Sequence, residues 1–305
     1  MSPGAPRSSG PASAGLEKTT LNVGIIPIVD LLQMYVAQAN GYFADEGLTV
    51  KTTAMAGGAA IAPAVQSGQL DIGWSNVVSM IVAHDKGFDF KLIGGGAYQG
   101  QDHWNIGLLA PPNSKINGPA DLKGARVAVN TLGAVNELAV RAYAAKAGVD
   151  TSTIQFVEVG FPDMPPALTA GRVDAALVEE PFLSIAGNNG TAKVVDPAVY
   201  REIATDPIIV AGWFTTSSWM AQNPRTLAAF GRAIHRATDT INQDPDTARA
   251  AISKFTPTSA EQAKTVKLKA FSNDITPAQL QPWVDLSAKF GYIAKPFSPE
   301  VLVAG

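Results

Sequence analysis

The chain of 305 residues contains no cysteine. Disulfides, thiolate zinc sites, iron–sulfur clusters and cysteine nucleophiles are thereby excluded. The compartment stays open, because exported proteins can also be cysteine-free. Long apolar runs are missing too: none approaches the roughly 18 residues that cross a bilayer as a helix. Charge is sparse, at 16% of residues, and nearly balanced, with 23 Lys and Arg against 26 Asp and Glu. No Lys/Arg cluster stands out, so a nucleic-acid surface, which needs a concentrated basic face, is not expected. The three histidines, His84, His103 and His235, stand too far apart for a local metal motif. No GxGxxG follows a strand, and "LIGGGAYQG" lacks that spacing; there is no GK[ST], and "GWSNV" is not a GxSxG elbow. No metal and no cofactor is expected.

What is present is a compact, apolar chain, 46% hydrophobic, of a length that suits one large domain or two medium ones. The opening "MSPGAPRSSGPASAGLEKTT" is rich in Pro, Gly, Ser and Ala and lacks the apolar centre of a signal peptide. It reads as a flexible leader over residues 1–20, or a cloning remnant, standing where a signal was removed. From Leu21 onward, strand and helix patterns alternate. "LNVGII", "LTVKTTAM", "LDIGW" and "FKLIGGGAY" read as strands. Between them lie helical stripes such as "DLLQMYVAQAN", with Asp30 at an N-cap position and Gly41 as a stop.

The pattern then restarts. "ARVAVN", "TIQFVEV" and "VDAALV" read as strands, and Asn130 or Thr131 stands where it could cap the helix "AVNELAVRAYAAKAG". Shifted by 103 residues, Gly57 falls on Gly160, Pro63 on Pro166, Gly68 on Gly171 and Asp71 on Asp174. "AVQSGQLDIGWSN" and "ALTAGRVDAALVE" are the same helix–Gly–strand step written twice, so Asp71 and Asp174 read as structural. Alternation of this kind predicts α/β architecture with mostly parallel sheets. "PIIVAGWFTTSSWMAQN" reads as a strand pair, and an almost wholly helical tail follows, with Asn223-Pro224, Asp244-Pro245, Thr276-Pro277 and the Ser259/Gln262 pair as helix starts. The expected division is lobe one over residues 21–106 plus 214–305 and lobe two over residues 107–213. "IGLLAPPNSK" and "IIVAGWFTT" are the two crossings that make the hinge.

"AQANGYFADEGLTV", "PAVQSGQLDIGWSN", "DLKGARVAV" and "PPALTAGRVDAALVEEPF" resemble the solute-binding proteins of ABC importers, in the subgroup that handles nitrate, sulfonates, taurine and thiamine-precursor pyrimidines. The resemblance covers about residues 21–300. It implies the type II periplasmic binding fold: two similar doubly wound lobes, a two-segment hinge and a helical C-terminal tail. It further implies a monomeric, periplasmic or lipid-anchored protein, not an enzyme, that closes on a small solute and delivers it to a permease and its ATPase. Two alternatives stay open. One is a thiamine-pyrimidine synthase of the same fold, which in that family uses a Cys-rich segment and a covalently held pyridoxal cofactor. The other is a ligand-sensing domain.

In open α/β sheets ligands bind beyond the carboxyl ends of the strands. Lobe one then offers Pro27, Val29, Asp30, Met55, Gly57, Gly58, Ser75, Asn76, Tyr98, Gln99, Asp102, His103 and Trp104. Lobe two offers Asn130, Thr131, Leu132, Gly133, Asn136, Glu158, Phe161, Glu179, Glu180 and Phe182, and Trp213 sits at a crossing. Each has a plainer reading: Asp30 as a cap, Trp74 as core, and one of Glu179 and Glu180 turned from the cleft, because adjacent strand residues point apart. Strand-end Lys and Arg are absent, which argues against a densely charged ligand. Aromatic walls and carboxylate acceptors suit a small, partly apolar organic solute: a sulfonate, a carboxylate or a pyrimidine-like ring.

Overall fold

The computed structural model describes residues 15–100, 104–203, 207–256 and 258–304. The first half contributes strands β1 (Thr20–Ile25), β2 (Thr49–Ala54), β3 (Ile72–Asn76), β4 (Phe90–Gly95) and β5 (Ala97–Gln99). The second contributes β6 (Ile106–Ala110), β7 (Arg126–Val129), β8 (Gln155–Glu158), β9 (Ala175–Glu179) and β10 (Lys193–Asp196). The returning chain adds β11 (Ile208–Ile209), β12 (Ala211–Thr216) and β13 (Ala270–Phe271).

Two five-stranded sheets follow one plan. The first runs β2–β1–β3–β12–β4 and the second β8–β7–β9–β6–β10. In each, the first three strands are parallel and the fourth is antiparallel to both neighbours. That fourth strand is the one that arrives from the other half of the chain: β6 enters the second sheet and β12 returns to the first. The repeat seen in the sequence thus extends to sheet topology, including the two crossings. Both pass a small third sheet, β11–β5–β13. β11 and β12 therefore lie in different sheets and are not partners of each other; a helix, Ser217–Gln222, takes the end of the expected strand-pair segment.

The paired motif residues do equivalent work. Asp71 Oδ2 accepts from the Asn22 amide at 2.8 Å, and Asp174 Oδ2 accepts from the Arg126 amide at 2.8 Å. The amides of both aspartates donate back, to Asn22 O and Arg126 O, each at 2.8 Å. Each aspartate so clasps the start of its lobe's central strand. Gly68 and Gly171 both adopt positive φ, +75° and +64°, as helix stops must at little cost only for glycine. Asp244 caps the helix Pro245–Phe255, and Ser259 and Thr276 form capping boxes with Gln262 and Gln279. Neither Asn130 nor Thr131 caps Val135–Lys146, whose N-cap is Ala134, and Asp30 caps nothing, because Asn105 and Lys269 take its carboxylate.

Of the expected leader, residues 1–14 lie outside the described residues. Glu17 is tied to Arg225 and Thr226, and Lys18 pairs with Asp71 at 2.6 Å.

Candidate functional site

The carboxyl ends of both sheets meet at a small cavity of about 20 Å³. Its walls are Ile26, Ile28, Asp30, Trp74, Asn76 and Val210 on one side and Asn130, Val135, Asn136, Phe161 and Glu179 on the other. Asp30 follows β1, Asn76 ends β3, Asn130 follows β7, Phe161 follows β8 and Glu179 ends β9, so five strand ends converge. Asn76 also caps its own helix, accepting from the Ser79 amide at 2.9 Å.

The centre of the site is charged and buried. Lys269 Nζ lies 2.5 Å from Asp30 Oδ2 and 3.5 Å from Glu179 Oε1, and all three side chains are at most 5% exposed. Asn105 Nδ2 donates to Asp30 Oδ1 at 3.1 Å, and Gln99 Nε2 donates to Asn105 Oδ1 at 2.7 Å. On the opposite wall Asn136 Nδ2 donates to Asn130 Oδ1 at 2.9 Å, and the buried Tyr200 hydroxyl donates to Asn136 Oδ1. Burial raises the Glu179 pKa to about 8; the Asp30 charge adds to this and Lys269 opposes it. Burial thus favours the protonated form of Glu179, which can donate as well as accept. Tyr200 is held well above its ordinary range by burial and then by Glu179 and Asp30, so it remains a donor. The Trp74 indole N–H is buried and has no hydrogen-bond partner among the described residues.

A cavity this small holds about one water-sized group. A ring-sized solute needs more room than this cavity offers.

Of the residues expected from the sequence, the cavity gathers Asp30, Asn76, Asn130, Asn136, Phe161 and Glu179. Gly58, Leu132 and Gly133 line a neighbouring, larger opening of about 590 Å³ between the lobes. Between the two, Gly57 abuts Thr131: a Cβ on Gly57 would stand 2.4 Å from Thr131 Oγ1. Gln99 stands one step behind the cavity through Asn105. Ser75 is buried, its hydroxyl donating to Asn76 O, and Val29 N donates across the lobes to Glu180 O at 3.3 Å. Asp102 and His103 lie outside the described residues.

The remaining expected residues stand apart from the cavity. Glu180 accepts from the Ser184 amide and hydroxyl and from the Lys267 amide, so of the two adjacent glutamates only Glu179 faces inward. Trp213 is 1% exposed and packs edge-to-face on Phe230 in the core beside the first sheet, its N–H donating to Gln33 Oε1 at 3.2 Å. Phe182 is buried, Trp104 packs against the core, and Pro27 only flanks the cavity-lining Ile26 and Ile28. Lys269 was not legible as a site residue. It arrives 239 positions after Asp30, from a tail read as helical; the short strand run "KLKAF" was the one local signal.

Among solved structures, the alkanesulfonate-binding protein of Xanthomonas axonopodis pv. citri superposes with a TM-score of 0.79 at 16% identity, covering 94% of this chain and 99% of that one. The periplasmic nitrate-binding protein of Synechocystis PCC 6803 gives 0.78 at 14% identity, over 94% and 85%. The fold is therefore that of the two-lobed, type II periplasmic binding proteins. In sequence, the chain is 26% identical over 220 residues to the formylaminopyrimidine-binding protein of Halalkalibacterium halodurans, a match covering 70% of this chain and 63% of that relative, less than two thirds of its length. It is 23% identical over 248 residues to the 4-amino-5-hydroxymethyl-2-methylpyrimidine phosphate synthase of Candida albicans, covering 78% and 71%. The chain belongs to the NMT1/THI5-like family, whose model matches residues 29–248.

Proposed function

We propose that this chain is the solute-binding component of an ABC importer, working outside the cytoplasmic membrane, and that its solute is a flat, N–H-bearing heterocycle of the pyrimidine type. The observation that carries the reading is the buried set Asp30, Glu179 and Lys269 at the meeting of the two lobes. One ion pair neutralises itself and leaves a protonated carboxyl, so the site holds no surplus cation for a sulfonate or nitrate. An aminopyrimidine edge offers both N–H donors and a ring-nitrogen acceptor, which Glu179, Asp30 and the side-chain amides can match. The orphan Trp74 N–H would find an acceptor on the same ring. Phe161, Val135, Ile26 and Ile28 supply apolar walls. The pyrimidine-binding relative supports the same class of solute.

Lobe one is taken as residues 21–106 plus 214–305 and lobe two as residues 107–213. A solute touching both favours the closed form in proportion to its extra contacts there. Delivery to a permease follows from the class of protein.

The second reading is a pyrimidine synthase, favoured by the names of three relatives. An imine with a pyridoxal cofactor would need a neutral lysine amine with room around it. Lys269 is instead locked to Asp30 in a cavity of about 20 Å³, and the chain has no cysteine. Titration calorimetry with 4-amino-5-hydroxymethyl-2-methylpyrimidine, its formylamino analogue, hexanesulfonate and nitrate decides between solutes. Heat with the pyrimidines alone is the expected result, and heat with nitrate alone overturns it. An absorption band of a lysine-bound imine on adding pyridoxal phosphate would favour the enzyme.

A further inference from the structure

The larger opening between the lobes has a different chemistry from the buried cluster. Its volume, about 590 Å³, lies in the range of small-molecule sites, and both lobes contribute to it. Phe88 from the first lobe and Leu132 from the second are 36% and 47% exposed, two of only four large apolar side chains so exposed among the described residues, and both face this opening. Glu137 and Arg141, in the helix Val135–Lys146, neutralise each other at 2.8 Å. Lys86 lines the opening as well, and no ion pair holds it among the described residues. The Tyr292 hydroxyl is buried beside Glu137 and Arg141, which both interact with it. The opening therefore combines exposed apolar side chains from both lobes with one positive charge that no ion pair holds among the described residues.

We propose that this opening is a second binding site, for a small molecule with a monoanionic head and an apolar body, separate from the buried cluster that takes the heterocycle. The head meets Lys86; the body lies between Phe88 and Leu132. Because its walls come from both lobes, occupancy favours closure and, by linkage, tightens solute binding in the inner cavity.

Calorimetry with hexanoate as the probe tests this, with 1-hexanol as its uncharged counterpart. Hexanoate binding is expected, weakened about tenfold or more, a loss of roughly 1.4 kcal/mol, by Lys86→Glu and by Leu132→Asp. Both positions are exposed enough for the variants to fold. Glu179→Gln, by contrast, should leave hexanoate binding in place. No hexanoate binding at millimolar concentration overturns the site. So does binding that Glu179→Gln abolishes or that a bound pyrimidine displaces, because the probe then occupies the inner cavity. Equal binding of 1-hexanol overturns the anionic head. The pyrimidine titration reads the inner site independently, so failure of the one reading leaves the other standing.

Discussion

Three side chains set the chemistry of the inner site, and their charges can be tested singly. Asp30 and Lys269 are both at most 3% exposed, so each is the other's main compensation. Lys269→Met leaves a buried carboxylate unpaired beside Glu179 and should cost about 3–5 kcal/mol in urea unfolding. Asp30→Asn combined with Lys269→Met removes both charges and should recover most of that loss. A double variant no more stable than Lys269→Met alone would mean the pair is not coupled. Glu179 has a pH signature. Its pKa in the folded chain is about 8, above the ordinary 4.5, so the folded state holds the proton more tightly than the unfolded one. Its contribution is fully present below about pH 4.5 and is lost as pH rises through 8, with a slope of up to about 1.4 kcal/mol per unit. Melting curves between pH 5 and 8 should therefore flatten in Glu179→Gln relative to the natural chain. An unchanged slope would show that Glu179 is ionised throughout.

At the scale of elements, the repeated helix–Gly–strand step makes unequal contributions in the two lobes. Asp71 is 4% exposed and accepts from the Lys18 ammonium, the Asn22 amide and the Trp219 indole N–H. Asp174 makes the same clasp with Arg126 but keeps 39% of its side chain in solvent. Asp71→Ala should thus cost about 3 kcal/mol and Asp174→Ala about 1, with solute affinity unchanged in both. Equal costs would mean burial does not set the difference. This step was legible in the sequence because everything in it is local: apolar periodicity, a glycine that must take positive φ, an aspartate three residues on. The carboxyl-end rule likewise picked out Asp30, Asn76, Asn130, Asn136, Phe161 and Glu179, and these line one cavity. What local pattern could not supply was the third dimension. Trp74 and Trp213 are directly paired across β3 and β12, yet only Trp74 lines the cavity. Lys269 reaches Asp30 through the small third sheet, a pairing set by β13 against β5 that no spacing announces.

For the whole molecule, the question is what limits closure. Contacts between the lobes include Val29 with Glu180, Glu180 with Lys267 and Lys269 with Glu179, which are polar and can part, and the edge-to-face rings of Tyr200 and Trp283. The tightest approach is steric. Gly57 has extended backbone that any residue adopts, so its lack of a side chain matters only for space: a Cβ there would stand 2.4 Å from Thr131 Oγ1 in the other lobe. Gly58 meets a neighbour as closely, but that neighbour is Ser75 in its own lobe, at 1.9 Å. The two adjacent glycines therefore separate two effects. Gly57→Val is a wedge between lobes. It should leave the melting temperature near that of the natural chain, weaken solute binding by about tenfold or more, and keep the radius of gyration at its open value when solute saturates the protein. Gly58→Ala forces Ser75 aside within lobe one. It should lower the melting temperature while small-angle scattering still reports closure on solute. If Gly57→Val closes normally in scattering and binds normally in calorimetry, Thr131 yields to the new side chain, and the limit on closure lies in the buried charge cluster instead.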